Sequence, residues 1–111
     1  SEDFSFNCLY RDPTGIKFML FSDSEGNGHV RIQREGDGCH EDIIRRLENR
    51  GISISQNYKL NGGGSVTAKK EENRTMFKFF GKSTHYGEFD KALLGKVLDE
   101  HLDKEHSYEI E

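Results

Sequence analysis

The chain of 111 residues is poor in the features that define several large classes of protein. It has no tryptophan, one proline (Pro13) and two cysteines (Cys8 and Cys39). No apolar run reaches the ~20 residues of a membrane helix, and no apolar signal region follows a basic start. The cysteines lack the spacing of a zinc site. We therefore expect a soluble cytoplasmic protein with reduced thiols, no metal and no membrane partner.

An excess of basic residues is also missing. The chain has 16 Lys and Arg residues against 20 Asp and Glu residues, which gives a formal net charge of −4. A general nucleic-acid binder needs a basic surface, so we expect no nucleic-acid partner. The length fits a single domain over 1–111 that buries roughly two thirds of its unfolded surface. We expect this domain to be a monomer.

The apolar periodicity predicts an α+β domain, with a mixed sheet of about six strands flanked by two helices. The helices are predicted over 39–50, with Gly51 as a C-cap, and over 89–102. The glycine triplet at 62–64 is predicted to form a flexible turn. The segment 74–80 is rich in aromatic residues and is predicted to be central. The predicted strands are 4–10, 16–21, 29–33, 52–60, 66–70, 74–80 and 108–110.

His40 is the candidate catalytic residue because it stands where the first predicted helix begins. Ile43, Ile44 and Leu47 follow it at i+3, i+4 and i+7, so His40 lies on the inward stripe at the rim of the core. The positive end of the helix dipole disfavours an imidazolium there. A neutral imidazole can accept a proton or attack phosphorus. The alternative is a structural histidine that is hydrogen-bonded to the backbone.

A polar loop over 81–87 precedes the second helix and is bounded by glycines. Successive N–H groups in such a loop, followed by a helix N-terminus, can cradle phosphate oxygens. The alternative is an ordinary connection between two glycines. The loop is not a nucleotide P-loop, because the position five residues before Gly81 is Met76, inside a predicted strand. Its polar side chains are Lys82, Ser83, Thr84 and His85.

Lys17 interrupts the apolar run over 16–21. Its side chain must point to the face opposite from Ile16 and Phe18, because successive residues of a strand alternate. One interpretation is an exposed residue of an edge strand. The other is a point charge on a bound phosphate, if the same face carries His40 and the loop over 81–87.

Four short motifs follow one another along the chain, and together they resemble a known family. They are the segment 40–43 of the form His-x-Asp-Ile, the glycine triplet 62–64, the loop 81–87 of the form Gly-x-Ser-x-x-Tyr-Gly, and the terminal Tyr-Glu-Ile at 108–110. Their order and spacing resemble the Janus family of small phosphohistidine phosphatases, from Lys17 to the C-terminus. The resemblance implies metal-independent hydrolysis of a P–N bond without a cofactor. The implied partners are phosphate and proteins or peptides that contain phosphohistidine or phospholysine.

The same resemblance implies a role for individual residues. His40 corresponds to the catalytic histidine, which acts as general base or nucleophile, and Lys17 corresponds to a lysine that binds phosphate. Two positions depart from the family: Ser65 replaces an arginine after the glycine triplet, and Lys91 replaces a histidine early in the second helix. These departures leave open a non-catalytic module that binds phosphate or phosphoprotein. The implied phosphate-binding loop consists of Ser83, Thr84 and His85.

Overall fold

The structure, a computed structural model, describes residues 15–34, 37–51 and 54–111. The predicted strand over 4–10 lies outside these ranges. No helix in the described part is long and apolar enough to cross a membrane. The described elements are β1 (Ile16–Asp23), β2 (Gly28–Ile32), α1 (His40–Asn49), the single turn α2 (Ile54–Asn57), β3 (Tyr58–Glu71), β4 (Arg74–Phe80), α3 (Lys91–His101) and β5 (His106–Ile110).

The described strands form one mixed sheet in the order β2-β1-β3-β4-β5. All neighbours are antiparallel except β4 and β5, which are parallel because α3 carries the chain back across the sheet. This confirms the predicted α+β class, with five strands in the described part rather than about six. The centre of the sheet is β3 and not the predicted segment 74–80, which forms β4 beside it.

The helices α1 and α3 pack on opposite faces of the sheet. Alternate residues of β1 divide between the two faces: Phe18 and Leu20 join the cluster under α3, whereas Met19 and Phe21 join the cluster under α1. By the same alternation, Lys17 lies on the α1 face. The inward stripe of α1 is buried as predicted, and it consists of His40, Ile43, Ile44 and Leu47.

Local hydrogen bonds fix both ends of α1. The Asp42 carboxylate accepts the N–H groups of Gly38 at 2.7 Å and Cys39 at 3.1 Å. These donors, the first above all, lower the pKa of Asp42 below its usual value. At the other end, Gly51 adopts a φ of +85°, and its N–H donates to the Glu48 carbonyl at 3.0 Å. The predicted role of Gly51 at this end is therefore confirmed.

Two sequence predictions around the glycine triplet are wrong. The predicted strand over 52–60 contains the helical turn α2, and β3 begins only after it and continues through the triplet without turning. A Cβ on Gly62 would lie 2.0 Å from the carbonyl oxygen of Glu88, and one on Gly64 would lie 2.6 Å from that of Phe80. Glycine is needed here because the neighbouring backbone leaves no room for a side chain.

Candidate active site

The two ring nitrogens of His40 have different surroundings. The residue is only 7% exposed, and its Nε2 lies 2.8 Å from the Gly64 carbonyl oxygen. A carbonyl accepts but cannot donate, so Nε2 carries the hydrogen and the lone pair of the neutral ring is on Nδ1. Among the described residues Nδ1 has no hydrogen-bond partner. The lone pair of Nδ1 is therefore not engaged by any of the described residues.

The surroundings of His40 favour its neutral form. Burial lowers the pKa of its imidazole below the ordinary value of 6.5, and the positive charge of Lys17 lowers it further. The hydrogen bond to Gly64 acts in the opposite direction but is the smaller effect. At neutral pH His40 is therefore mostly unprotonated, as a general base or nucleophile must be.

Lys17 supplies a positive charge on the same face of the sheet. It is half-buried on β1, which lies between β2 and β3, so the interpretation as an edge residue is wrong. Its backbone N–H donates to Gln33 Oε1 at 2.9 Å. Within the described ranges, its ammonium group forms no ion pair with a carboxylate. That charge is thus available to an anionic ligand near His40.

The backbone N–H and the hydroxyl of Ser83 form hydrogen bonds within the protein that hold the loop in place. The residue is 1% exposed, and its N–H donates to the carbonyl oxygens of Gly63 at 3.0 Å and Gly87 at 3.1 Å. Its Oγ accepts the N–H of Tyr86 at 3.1 Å. The Ser83 N–H is consequently occupied and is not available to donate to phosphate.

The next two residues of the loop carry free donors. Thr84 and His85 are exposed, and their N–H groups donate to no acceptor in the part of the chain that the structure describes. The same holds for the N–H groups of His40 and Glu41, which open α1 and have no partner within the helix. Unpaired N–H groups of this kind bind phosphate oxygens well.

Gly63 joins the loop to His40. Its carbonyl accepts the Ser83 N–H, and a Cβ on it would lie 2.9 Å from His40 Cδ2. The ring and the loop thus flank the same residue of β3. This role of Gly63 was not predicted, because the glycine triplet was expected to form a flexible turn.

The two departures from the family pattern lie in different places. Ser65 is the cross-strand partner of Lys17 on the α1 face, so it belongs to the surroundings of His40. Lys91 begins α3 and lines a cavity of about 350 Å³ together with Lys82 and Phe89. Phe89 belongs to the cluster under α3. Ser65 therefore lies beside Lys17, and Lys91 shares a cavity with Lys82 of the loop over 81–87.

The described residues include one cysteine and no cluster of metal-ligating side chains. Cys39 is a free and exposed thiol, and Cys8 lies outside the described ranges. Over 15–34, 37–51 and 54–111, no three His, Cys, Asp or Glu side chains are grouped to hold a metal ion.

No protein-family model matches the chain, and no curated protein matches it. The resemblance to the Janus family therefore rests on the short motifs alone.

Proposed function

We propose that the protein is a metal-independent phosphohistidine phosphatase that hydrolyses the P–N bond in proteins or peptides, with His40 as general base or nucleophile. The observation that carries the proposal is the imidazole of His40: the Gly64 carbonyl accepts the Nε2 hydrogen, Nδ1 has no partner among the described residues, and burial favours the neutral ring. The proposal includes action as a cytoplasmic monomer without a cofactor.

The remaining groups support the charge that develops on the phosphoryl oxygens. Phosphoryl transfer depends mainly on positioning and electrostatic stabilisation. In the proposed reaction the Lys17 ammonium and the N–H groups of Thr84 and His85 bind these oxygens. As a base, His40 Nδ1 takes a proton from the water that attacks phosphorus. The P–N electron pair leaves with the substrate imidazole, which takes up a proton, and phosphate is released.

As a nucleophile, His40 would react in two steps. Nδ1 forms a bond to phosphorus while the P–N bond of the substrate breaks, and water then hydrolyses the phosphorylated His40 to phosphate. Both routes need the neutral imidazole and the same ring nitrogen. They differ in whether a phosphorylated enzyme can be trapped.

A module that binds phosphate without turnover is the alternative. It is favoured by Ser65, which faces Lys17 across the strand pair at the position where the family resemblance implies an arginine. Such a module would use Lys17 and the free N–H groups in the same way but would release the phosphorylated ligand unchanged.

The test is release of phosphate from a phosphohistidine peptide by the wild type, His40→Ala and His40→Gln, with and without EDTA. His101→Ala is the matched control, because His101 is an exposed histidine at the end of α3. We expect at least ~100-fold lower turnover for both His40 variants, as for loss of a catalytic base or nucleophile, and no effect of EDTA or of the control. Phosphate binding without turnover by the wild type would establish the alternative.

A further inference from the structure

We propose that Tyr86 is a positioning residue, whose ring holds the loop over 81–87 against α1 and so fixes the free N–H groups of Thr84 and His85 relative to His40. The effect of Tyr86 on catalysis rests on the proposed function. The effect of Tyr86 on the order of the loop does not depend on that function, so the two effects can be tested separately.

The base of the loop is anchored through the backbone. The Gly63 N–H donates to the Gly87 carbonyl at 3.3 Å, the Gly87 N–H donates to the Ser83 carbonyl at 2.8 Å, and the Ser83 N–H returns to Gly63. These bonds close the ends of the loop on β3. They do not reach its tip, where Thr84 and His85 are exposed.

Tyr86 provides a second anchor at the tip. Its half-buried ring packs on the apolar cluster under α1, which consists of Met19, Phe21, Ile43, Ile44 and Leu47. The His85 ring meets the Tyr86 ring edge to face, with centroids 5.4 Å apart. One aromatic ring therefore connects the exposed part of the loop to the helix that begins at His40.

The ring of Tyr86, rather than its hydroxyl, makes this connection. In the described part of the chain the hydroxyl has no hydrogen-bond partner. Burial, and then the negative charge of Glu41, raise the pKa of the phenol, which therefore stays neutral at physiological pH. A phenylalanine would keep the packing and lose only an unpaired hydroxyl.

Three variants separate positioning from general stability. Tyr86→Ala removes the anchor, Tyr86→Phe keeps it, and Tyr58→Ala is the matched control. Tyr58 is another half-buried tyrosine on the same cluster, but it contacts Phe21 and His29 at the far end of β1. Each variant is measured below its melting transition by heteronuclear NOE of the Thr84 and His85 amides, by their shifts on titration with inorganic phosphate, and by turnover of the phosphohistidine peptide.

We expect Tyr86→Ala alone to lower the NOE values of both amides, to reduce their phosphate shifts and to lower kcat/KM by roughly 10- to 100-fold, since small misplacements of catalytic groups have effects of that size. Tyr86→Phe should restore all three. The proposal is overturned if the loop amides of Tyr86→Ala keep their NOE values, or if Tyr58→Ala loosens them equally. If the wild type shows no turnover but the NOE values respond as expected, the anchor stands and the proposed function fails.

Discussion

Replacing Gly63 by alanine tests whether the position of the His40 ring requires a residue without a side chain at position 63. The added Cβ would lie 2.7 Å from the Phe18 carbonyl oxygen, 2.7 Å from Met19 Sδ and 2.9 Å from His40 Cδ2. Met19 can rotate away, but the Phe18 carbonyl belongs to a neighbouring strand and cannot. Ordinary contact begins near 3.4 Å, so the imidazole must retreat by about 0.5 Å.

The expected cost of Gly63→Ala has a structural part and a catalytic part. Overpacking of a core site costs about 1–3 kcal/mol. In a domain of this size, a loss of 1 kcal/mol in the free energy of unfolding lowers the melting temperature by about 4 °C, so the expected decrease is about 4–12 °C. Retreat of the ring also strains the 2.8 Å bond from Nε2 to Gly64, so turnover should fall by about tenfold or more even where the variant is folded.

Gly28→Ala is the matched control for this prediction. Its Cβ would lie 2.3 Å from Val97 Cγ2 and 3.1 Å from Leu93 Cδ1, both on α3 at the other face of the sheet. We expect a lower melting temperature with turnover unchanged at 20 °C below the transition. Wild-type turnover in Gly63→Ala, or equal losses in both variants, would refute the account of the site.

Three further predictions concern the charges and donors around the site. Lys17→Met should raise KM and also raise the pKa of His40, because the ammonium group lowers it; an NMR titration of the ring checks this. Thr84→Ala and His85→Ala should change phosphate binding little, whereas Thr84→Pro and His85→Pro delete a donor and should lower turnover by ~100-fold or more; native-like melting of each variant is the control. Asp42→Ala should lower the melting temperature at pH 7. This difference should disappear as pH falls through the lowered pKa of Asp42, where the wild-type carboxylate is protonated as well.

Local signals in the sequence predicted the elements that hold the site. The residues from His40 through Leu47 predict α1 because a buried helical face gives a repeat of three to four residues that can be read within one segment. Gly51 predicts the end of α1 because few other residues tolerate a φ of +85°. The alternation around Lys17 likewise predicts its face on β1.

The remaining features depend on contacts between distant segments, which no local pattern encodes. The glycine triplet was assigned to a turn because glycine is flexible. Instead, the triplet lies inside β3, where backbone such as that of Glu88 leaves no room for a side chain on Gly62, and Gly62 also has a φ of +88°. Two other contacts also join segments that are far apart in the sequence. They are the hydrogen bond from the Ser83 N–H to Gly63 and the packing of Tyr86 on the cluster under α1.

The central claim is that neutral His40 carries out the reaction, and one paired measurement tests it most directly. The single-turnover rate of phosphate release is followed from pH 5 to 8, and the imidazole of His40 is titrated by NMR over the same range. The pKa of His40 is below 6.5 in the folded protein, so the rate should be constant above it and fall as pH decreases through it. Agreement between the midpoint of the rate and the pKa of the ring, with both moved upward in Lys17→Met, is the predicted result. A flat rate profile, or a midpoint that does not follow the pKa of His40, would contradict the account.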